Sequence, residues 1–217
     1  MHPVAGKLPR EFYARETLLV ARELLGMHLV HAGAHGRRVG RIVETEAYKG
    51  PKDLAAHSSR GRTERTDVMF GPPGHAYVYL IYGFWNCLNI VTAADGVPHA
   101  VLIRALEPVE GLADKTHGPG LLCRAMDIDR RMNRANLLGD TLWIERPLQP
   151  RRPRVARSPR IGVDYAGAWA LKPWRFFDRD SPYVSTVTAA ARRRALRERP
   201  VPASQAPARR RLDRDPS

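Results

Sequence analysis

The sequence predicts one mixed α/β domain of the α+β kind, with a curved, mainly antiparallel β-sheet surrounded by helices. Three observations point there. Residues 27–48 and 75–91 each read as two extended runs around a turn, and hairpins pair antiparallel. Residues 16–25 and 118–126 read as short helices. The 217 residues suffice for one buried core, with length left for tails. The expected organisation is a leader over 1–7, a folded domain over 8–188 and a basic, disordered tail over 189–217.

Residues 1–10 read as loose. Helix formers run from Glu16 to Leu25, with Leu18, Ala21 and Leu25 at helical spacing and Gly26 as the stop. Met27 to His31 is a strand, and the A-G-A-H-G turn joins it to a strand over 38–48. Residues 49–75 are a long polar loop, of the kind that is usually functional or disordered. One helical turn over 53–57 would aim His57 back at the preceding strand. Two strands then flank a connection over 82–85. Ala100 to Leu106 is a buried-type strand holding one charge, Arg104, which needs a carboxylate or phosphate partner. Pro119 stands at the first position of the next helix. Residues 142–145 form a short strand, 147–160 a Pro/Arg-rich loop, and 160–165 and 174–178 further strands. No internal repeat is visible.

Composition excludes several classes. No apolar run approaches a membrane span, and the N-terminus lacks the apolar core of a secretory signal. Cys87 and Cys123 have no metal-ligand spacing and read as small buried residues of a cytosolic protein. The eight histidines form no metal motif. The net charge is +14, but residues 151–160 hold five arginines without an acid and residues 192–217 hold nine arginines against three acids. Such clusters suit a polyanion such as nucleic acid. They also suit a GC-rich coding bias, since the chain has 31 Arg and five Lys.

Residues 41–57, R-I-V-E-T-E-A-Y-K-G-P-K-D-L-A-A-H, carry the strongest chemical signal. Strand alternation sets Glu44, Glu46 and Tyr48 on one face and Val43, Thr45 and Ala47 on the other. From this pattern alone, a solvated face with an ion pair and a reactive face both remain open. In the second hairpin Tyr77, Tyr79 and Ile81 share a face, and Tyr77 reads as core. Tyr82, beside Gly83 at the tip, suits a wedge between bases.

Together these segments resemble the alkyladenine (3-methyladenine) or methylpurine-DNA glycosylase family. The matching runs are R-I-V-E-T-E-A-Y at 41–48, A-A-H-S at 55–58, M-F-G-P-P-G at 69–74 and Y-V-Y-L-I-Y-G at 77–83. They continue with L-N-I at 88–90, L-I-R-A-L-E-P at 102–108, G-P-G-L-L-C at 118–123, R-I-G-V at 160–163 and K-P-W-R-F at 172–176. Departures are Thr66, where asparagine is expected, Leu121, where a basic residue is common, and a short segment over 111–117.

The resemblance implies a DNA-repair enzyme that flips alkylated or deaminated purines out of duplex DNA and hydrolyses the N-glycosidic bond. It implies Glu46 as the base that activates water, with Arg104 and the backbone carbonyl of Ile161 holding that water. It implies Tyr48, His57 and Tyr79 as walls of the base pocket, Asn89 as the residue that crowds the amino group of guanine, and Tyr82 as the intercalating residue. Glu44 reads as an ion-pair partner of a nearby arginine. No lysine stands out as a Schiff-base nucleophile, so the enzyme is expected to be monofunctional. Metal and other cofactors are expected to be none, and the protein a monomer, cytoplasmic (nucleoid-associated if bacterial), acting on damaged double-stranded DNA and no membrane. The rival is a non-catalytic binder of distorted or damaged DNA.

Overall fold

The computed structural model describes residues 6–112 and 115–185, which form one mixed α+β domain. Its strands are β1 (Gly6–Lys7), β2 (His28–Gly33), β3 (Gly36–Lys49), β4 (Ala76–Ile81), β5 (Trp85–Thr92), β6 (His99–Glu110), β7 (Leu142–Arg146), β8 (Val155–Ser158) and β9 (Arg175–Asp178). Three short α-helices accompany them: α1 (Arg10–Tyr13), α2 (Thr17–Glu23) and α3 (Pro119–Met126). The main sheet runs β1-β7-β2-β3-β6-β5-β4, and β9 pairs with both β3 and β8. Every pairing is antiparallel.

The two faces of the central strands have different fates. Ala47 of β3, Ala76 and Val78 of β4, Leu88 and Ile90 of β5, and Val101 and Ile103 of β6 enter the main core. Val20 and Ala21 of α2 and Leu122, Cys123 and Met126 of α3 cover them. The alternate residues of the same strands, including Tyr48, Tyr77, Tyr79, Asn89, Leu102 and Arg104, line a cleft instead. Period-two alternation therefore separates packing from chemistry.

Two irregularities sit where β3 crosses the centre of the sheet. Ile42 pairs with Leu106, Glu44 with Ala105 and Thr45 with Ile103, so Val43 is extra on β3 and Arg104 extra on β6. The two shifts offset each other. Such bulges bend a strand and re-aim its side chains. Here they turn Arg104 toward Glu44 and Glu46.

Most expected elements form. Glu16 caps α2 by accepting from the Leu19 amide, Pro119 opens α3, and both hairpins are present. The differences have physical reasons. Residues 6–13 are not loose: β1 pairs with β7 and Leu8 is fully buried. The Pro/Arg-rich loop over 147–160 contains β8, which finds its partner in β9. The strand expected over 160–165 is a bend followed by a 3-10 turn at Asp164–Trp169, because Gly162 takes positive φ. The 53–57 turn is closed by the Ala56 amide on the Asp53 carbonyl, and His57 starts a 3-10 turn at His57–Arg60. Both cysteines are free and buried. The expected tail over 189–217 lies outside the described residues. Among those described, no helix is long and apolar enough to cross a membrane.

Candidate active site

Glu46 is a fully buried carboxylate with three donors. Its Oε1 accepts the Ile161 amide at 2.8 Å. Its Oε2 accepts the Tyr48 hydroxyl at 2.8 Å and Arg104 Nη1 at 3.3 Å. All three donor residues line a cleft of about 600 Å³, and Glu46 stands directly behind them. Burial raises the Glu46 pKa above the ordinary carboxylate value, and Arg104, the Ile161 amide and the Tyr48 hydroxyl hold it back in part. Burial also raises the Tyr48 hydroxyl well above its usual range, which keeps it a donor.

Glu44 lies two residues away, and of its donors only Arg104 lines the cleft. Its Oε1 accepts Arg104 Nε at 3.2 Å, Arg175 Nε at 2.6 Å and the Ser185 hydroxyl at 2.8 Å. Its Oε2 accepts the Ser185 amide at 2.8 Å. This is the ion-pair role expected of it, with two arginines rather than one. Arg104 finds both carboxylates, which answers the requirement that a charge in a buried strand be partnered.

The aromatic groups come together as the face alternation predicts. His57 and Tyr79 meet edge to face, with ring centroids 4.6 Å apart and planes at 80°. No base-wide gap lies between them. His57 Nδ1 sits 3.0 Å from the Tyr77 hydroxyl. Burial, with Arg65 and Arg60 nearby, lowers the His57 pKa to about 4, so the ring is neutral at neutral pH. Tyr77 is core on its ring, packed with Val68, Met69, Val91 and Ala100, yet its hydroxyl reaches the cleft wall. Sequence reasoning assigned it only the core. Asn89 is buried on the cleft lining, and its Nδ2 donates to the Tyr77 carbonyl at 3.3 Å.

Tyr82 projects from the β4–β5 tip with 80% of its surface exposed. Tyr82 and Gly83 both hold positive φ, 53° and 77°, and the Phe84 amide closes the turn on the Ile81 carbonyl. A left-handed conformation costs a side-chain-bearing residue roughly 1–2 kcal/mol. The tip thus holds Tyr82 out of any core. At the base of the same tip, Gly120 of α3 lies against Trp85, where an added Cβ would come within 2.6 Å of the indole. That close approach brings Gly118, Pro119, Gly120 and Leu121 into the cleft wall.

Two further residues escaped sequence reasoning. Asp53 and Arg160 form an ion pair with both side chains fully buried. They are 107 residues apart, and neither has a local pattern that marks it. Arg160 also narrows the meaning of the 151–160 arginine cluster. Arg151 and Arg154 pair with Asp178 and Asp180, so three of the five guanidinia are committed within the protein. Among the described residues, no group of His, Cys, Asp and Glu could hold a metal ion.

Comparison with known proteins identifies the family. The family model described as methylpurine-DNA glycosylase matches residues 11–182. A protein of Legionella pneumophila (strain Corby) is 54% identical over 179 residues, covering 82% of this chain and 98% of the relative. One of Anaeromyxobacter dehalogenans (strain 2CP-1) is 55% identical over 180 residues, 82% and 85% of the two chains. One of Myxococcus xanthus (strain DK1622) is 54% identical over 189 residues, 86% and 97%. Each bears the name "Putative 3-methyladenine DNA glycosylase".

Proposed function

The chain belongs to the methylpurine-DNA glycosylase family, and from that premise we propose that it excises damaged purines from duplex DNA by hydrolysis at Glu46. The observation that carries the reading is a buried carboxylate whose donors all line one aromatic cleft. Oε2 takes two donors and Oε1 only one, so Oε1 keeps a lone pair for the proton of an attacking water. Cleavage of the glycosidic bond builds positive charge on the sugar. Ionised Glu46 stabilises that charge and takes the proton as water adds at C1′. Arg104 and the Ile161 carbonyl hold the water in this reading.

The substrate base enters by flipping, at a cost of a few kcal/mol that is least for damaged or mispaired bases. Tyr82 fills the space it leaves. Because His57 and Tyr79 touch, they serve as one wall and Tyr48 as the other. Stacking is worth roughly 1–3 kcal/mol per base and tolerates many purines. A cationic methylated purine gains most from electron-rich rings and leaves without further protonation. In this reading Asn89, on the cleft lining, crowds the exocyclic amino group of guanine, which adenine at that position and hypoxanthine lack. None of the described residues that line the cleft is a lysine, in keeping with the reading of hydrolysis without strand cleavage.

The test is an assay of the purified protein on duplexes that each carry one lesion: hypoxanthine, ethenoadenine, 3-methyladenine or 7-methylguanine. Release of free base, with abasic and unbroken strands, is the expected result. Tight binding of every damaged duplex without base release would assign the protein to the rival class of damage binders.

A further inference from the structure

We propose that the buried Asp53–Arg160 ion pair is the positioning element that sets Glu46, Tyr48 and Ile161 against one another, an inference that rests on Glu46 being the general base. The pair joins three segments that local structure leaves independent. Arg160 Nη1 reaches Asp53 Oδ2 at 2.5 Å and the Ala47 carbonyl at 2.9 Å. Its Nη2 reaches Asp53 Oδ1 at 2.9 Å and the Trp169 carbonyl at 3.0 Å. Ala47 lies between Glu46 and Tyr48, and Ile161 follows Arg160 directly. One guanidinium therefore grips the chain next to Glu46, Tyr48 and Ile161.

The grip extends to Tyr48, one wall of the cleft, and to Trp174. The Arg160 guanidinium carbon lies 4.8 Å from the centroid of Tyr48 and 5.1 Å from that of Trp174. Asp53 accepts the Lys49 and Ala55 amides, each at 3.1 Å, which folds the chain after β3 and starts the turn that leads to His57. The planar fork of arginine fits this site, and an ammonium does not. A fully buried pair contributes little net stability over an apolar replacement. What it supplies here is register between residues 107 apart.

The register has a titration readout. The groups facing Glu46 are Arg104 from β6, Tyr48 and Glu44 from β3 itself, Tyr79 from β4, and the Ile161 amide. A disturbed clamp leaves the first four on their strands and loosens the last. Loss of a donor to the ionised form raises a carboxyl pKa. The acid limb of the rate profile then moves to higher pH.

The test is single-turnover release of methylated purines from dimethyl-sulfate-treated duplex DNA across pH, with affinity for a tetrahydrofuran abasic duplex measured beside it. Arg160→Lys is expected to slow release by roughly 10–100-fold, the scale of a small misplacement. It should shift the acid limb upward and keep abasic-duplex affinity and the cooperative melt. An unshifted limb at wild-type rate overturns the inference. A slower rate with an unshifted limb and a matching loss of affinity also overturns it, as that marks a merely structural pair. Should Arg160→Lys not fold, Asp53→Asn with Arg160→Gln, which keeps paired amides without buried charge, carries the same expectations and the same refutations. A wild-type protein that releases no base would instead sink the functional reading itself.

Discussion

Glu44 and Glu46 stand two residues apart on one face of β3, both fully buried and both bonded to Arg104. Their surroundings differ in one respect. Of the donors to Glu44, Arg175 and both groups of Ser185 do not line the cleft, and only Arg104 does. The three donors to Glu46 all line it. Identity and burial do not distinguish the two carboxylates; where their donors stand does.

The sharpest way to break that comparison is to neutralise each carboxylate in turn. Glu46→Gln is expected to lower single-turnover base release by roughly 10²–10⁴-fold while damaged-DNA binding persists. A normal rate in Glu46→Gln with a dead Glu44→Gln would invert the assignment. Glu44→Gln is expected to act on the fold. It removes the charge opposite two buried guanidinia, and breaking such a group costs about 3–5 kcal/mol. Denaturant melts measure this, and a stability loss at Glu46→Gln equal to that at Glu44→Gln would erase the distinction.

Two smaller effects refine it. Asn89→Ser shortens a side chain on the cleft lining. It should raise release of normal guanine relative to hypoxanthine by roughly tenfold, the scale of one excluded contact. The two release rates in one assay give the ratio, and an unchanged ratio would leave Asn89 only its bond to the Tyr77 carbonyl. The last effect is in pH. The folded pKa of Glu46 is raised, so its contribution to stability is fully present below the unfolded value and lost as pH rises through the folded one. Glu46→Gln should therefore melt no lower than wild type at neutral pH, and any advantage should vanish as the pH falls toward 4. A variant that gains on acidification would reverse this sign.

Much of this architecture was legible in the sequence, and the parts that were not share a cause. Alternation exposed the face carrying Glu44, Glu46 and Tyr48 and the face carrying Tyr77 and Tyr79, because a strand's period is local. Gly83 beside Tyr82 marked the tip for the same reason. Residues 155–158 escaped notice because four residues beside Pro153 form a strand only by pairing with β9. Ile161 and Val163 alternate like a strand, yet Gly162 turns the chain between them. The bond of Ile161 to Glu46 runs through its amide, a group that no side-chain pattern announces. Asp53 and Arg160 were invisible for the plainest reason: nothing local ties two residues 107 positions apart.

The partners of the two carboxylates also impose an order in time. Arg104 lies 60 residues downstream of Glu44 and 58 downstream of Glu46, the Ile161 amide 115 beyond Glu46, Arg175 131 beyond Glu44 and Ser185 141 beyond it. A chain growing from its N-terminus completes β3 long before most of these groups exist. At about 5–20 residues per second, the strand waits roughly 7–28 seconds for its last donor. Until then, burying its acidic face would strand two carboxylates without their neutralising groups. The centre of the sheet is therefore the part of this protein that synthesis must finish last, and nascent chains stopped short of β9 should remain protease-sensitive through β3.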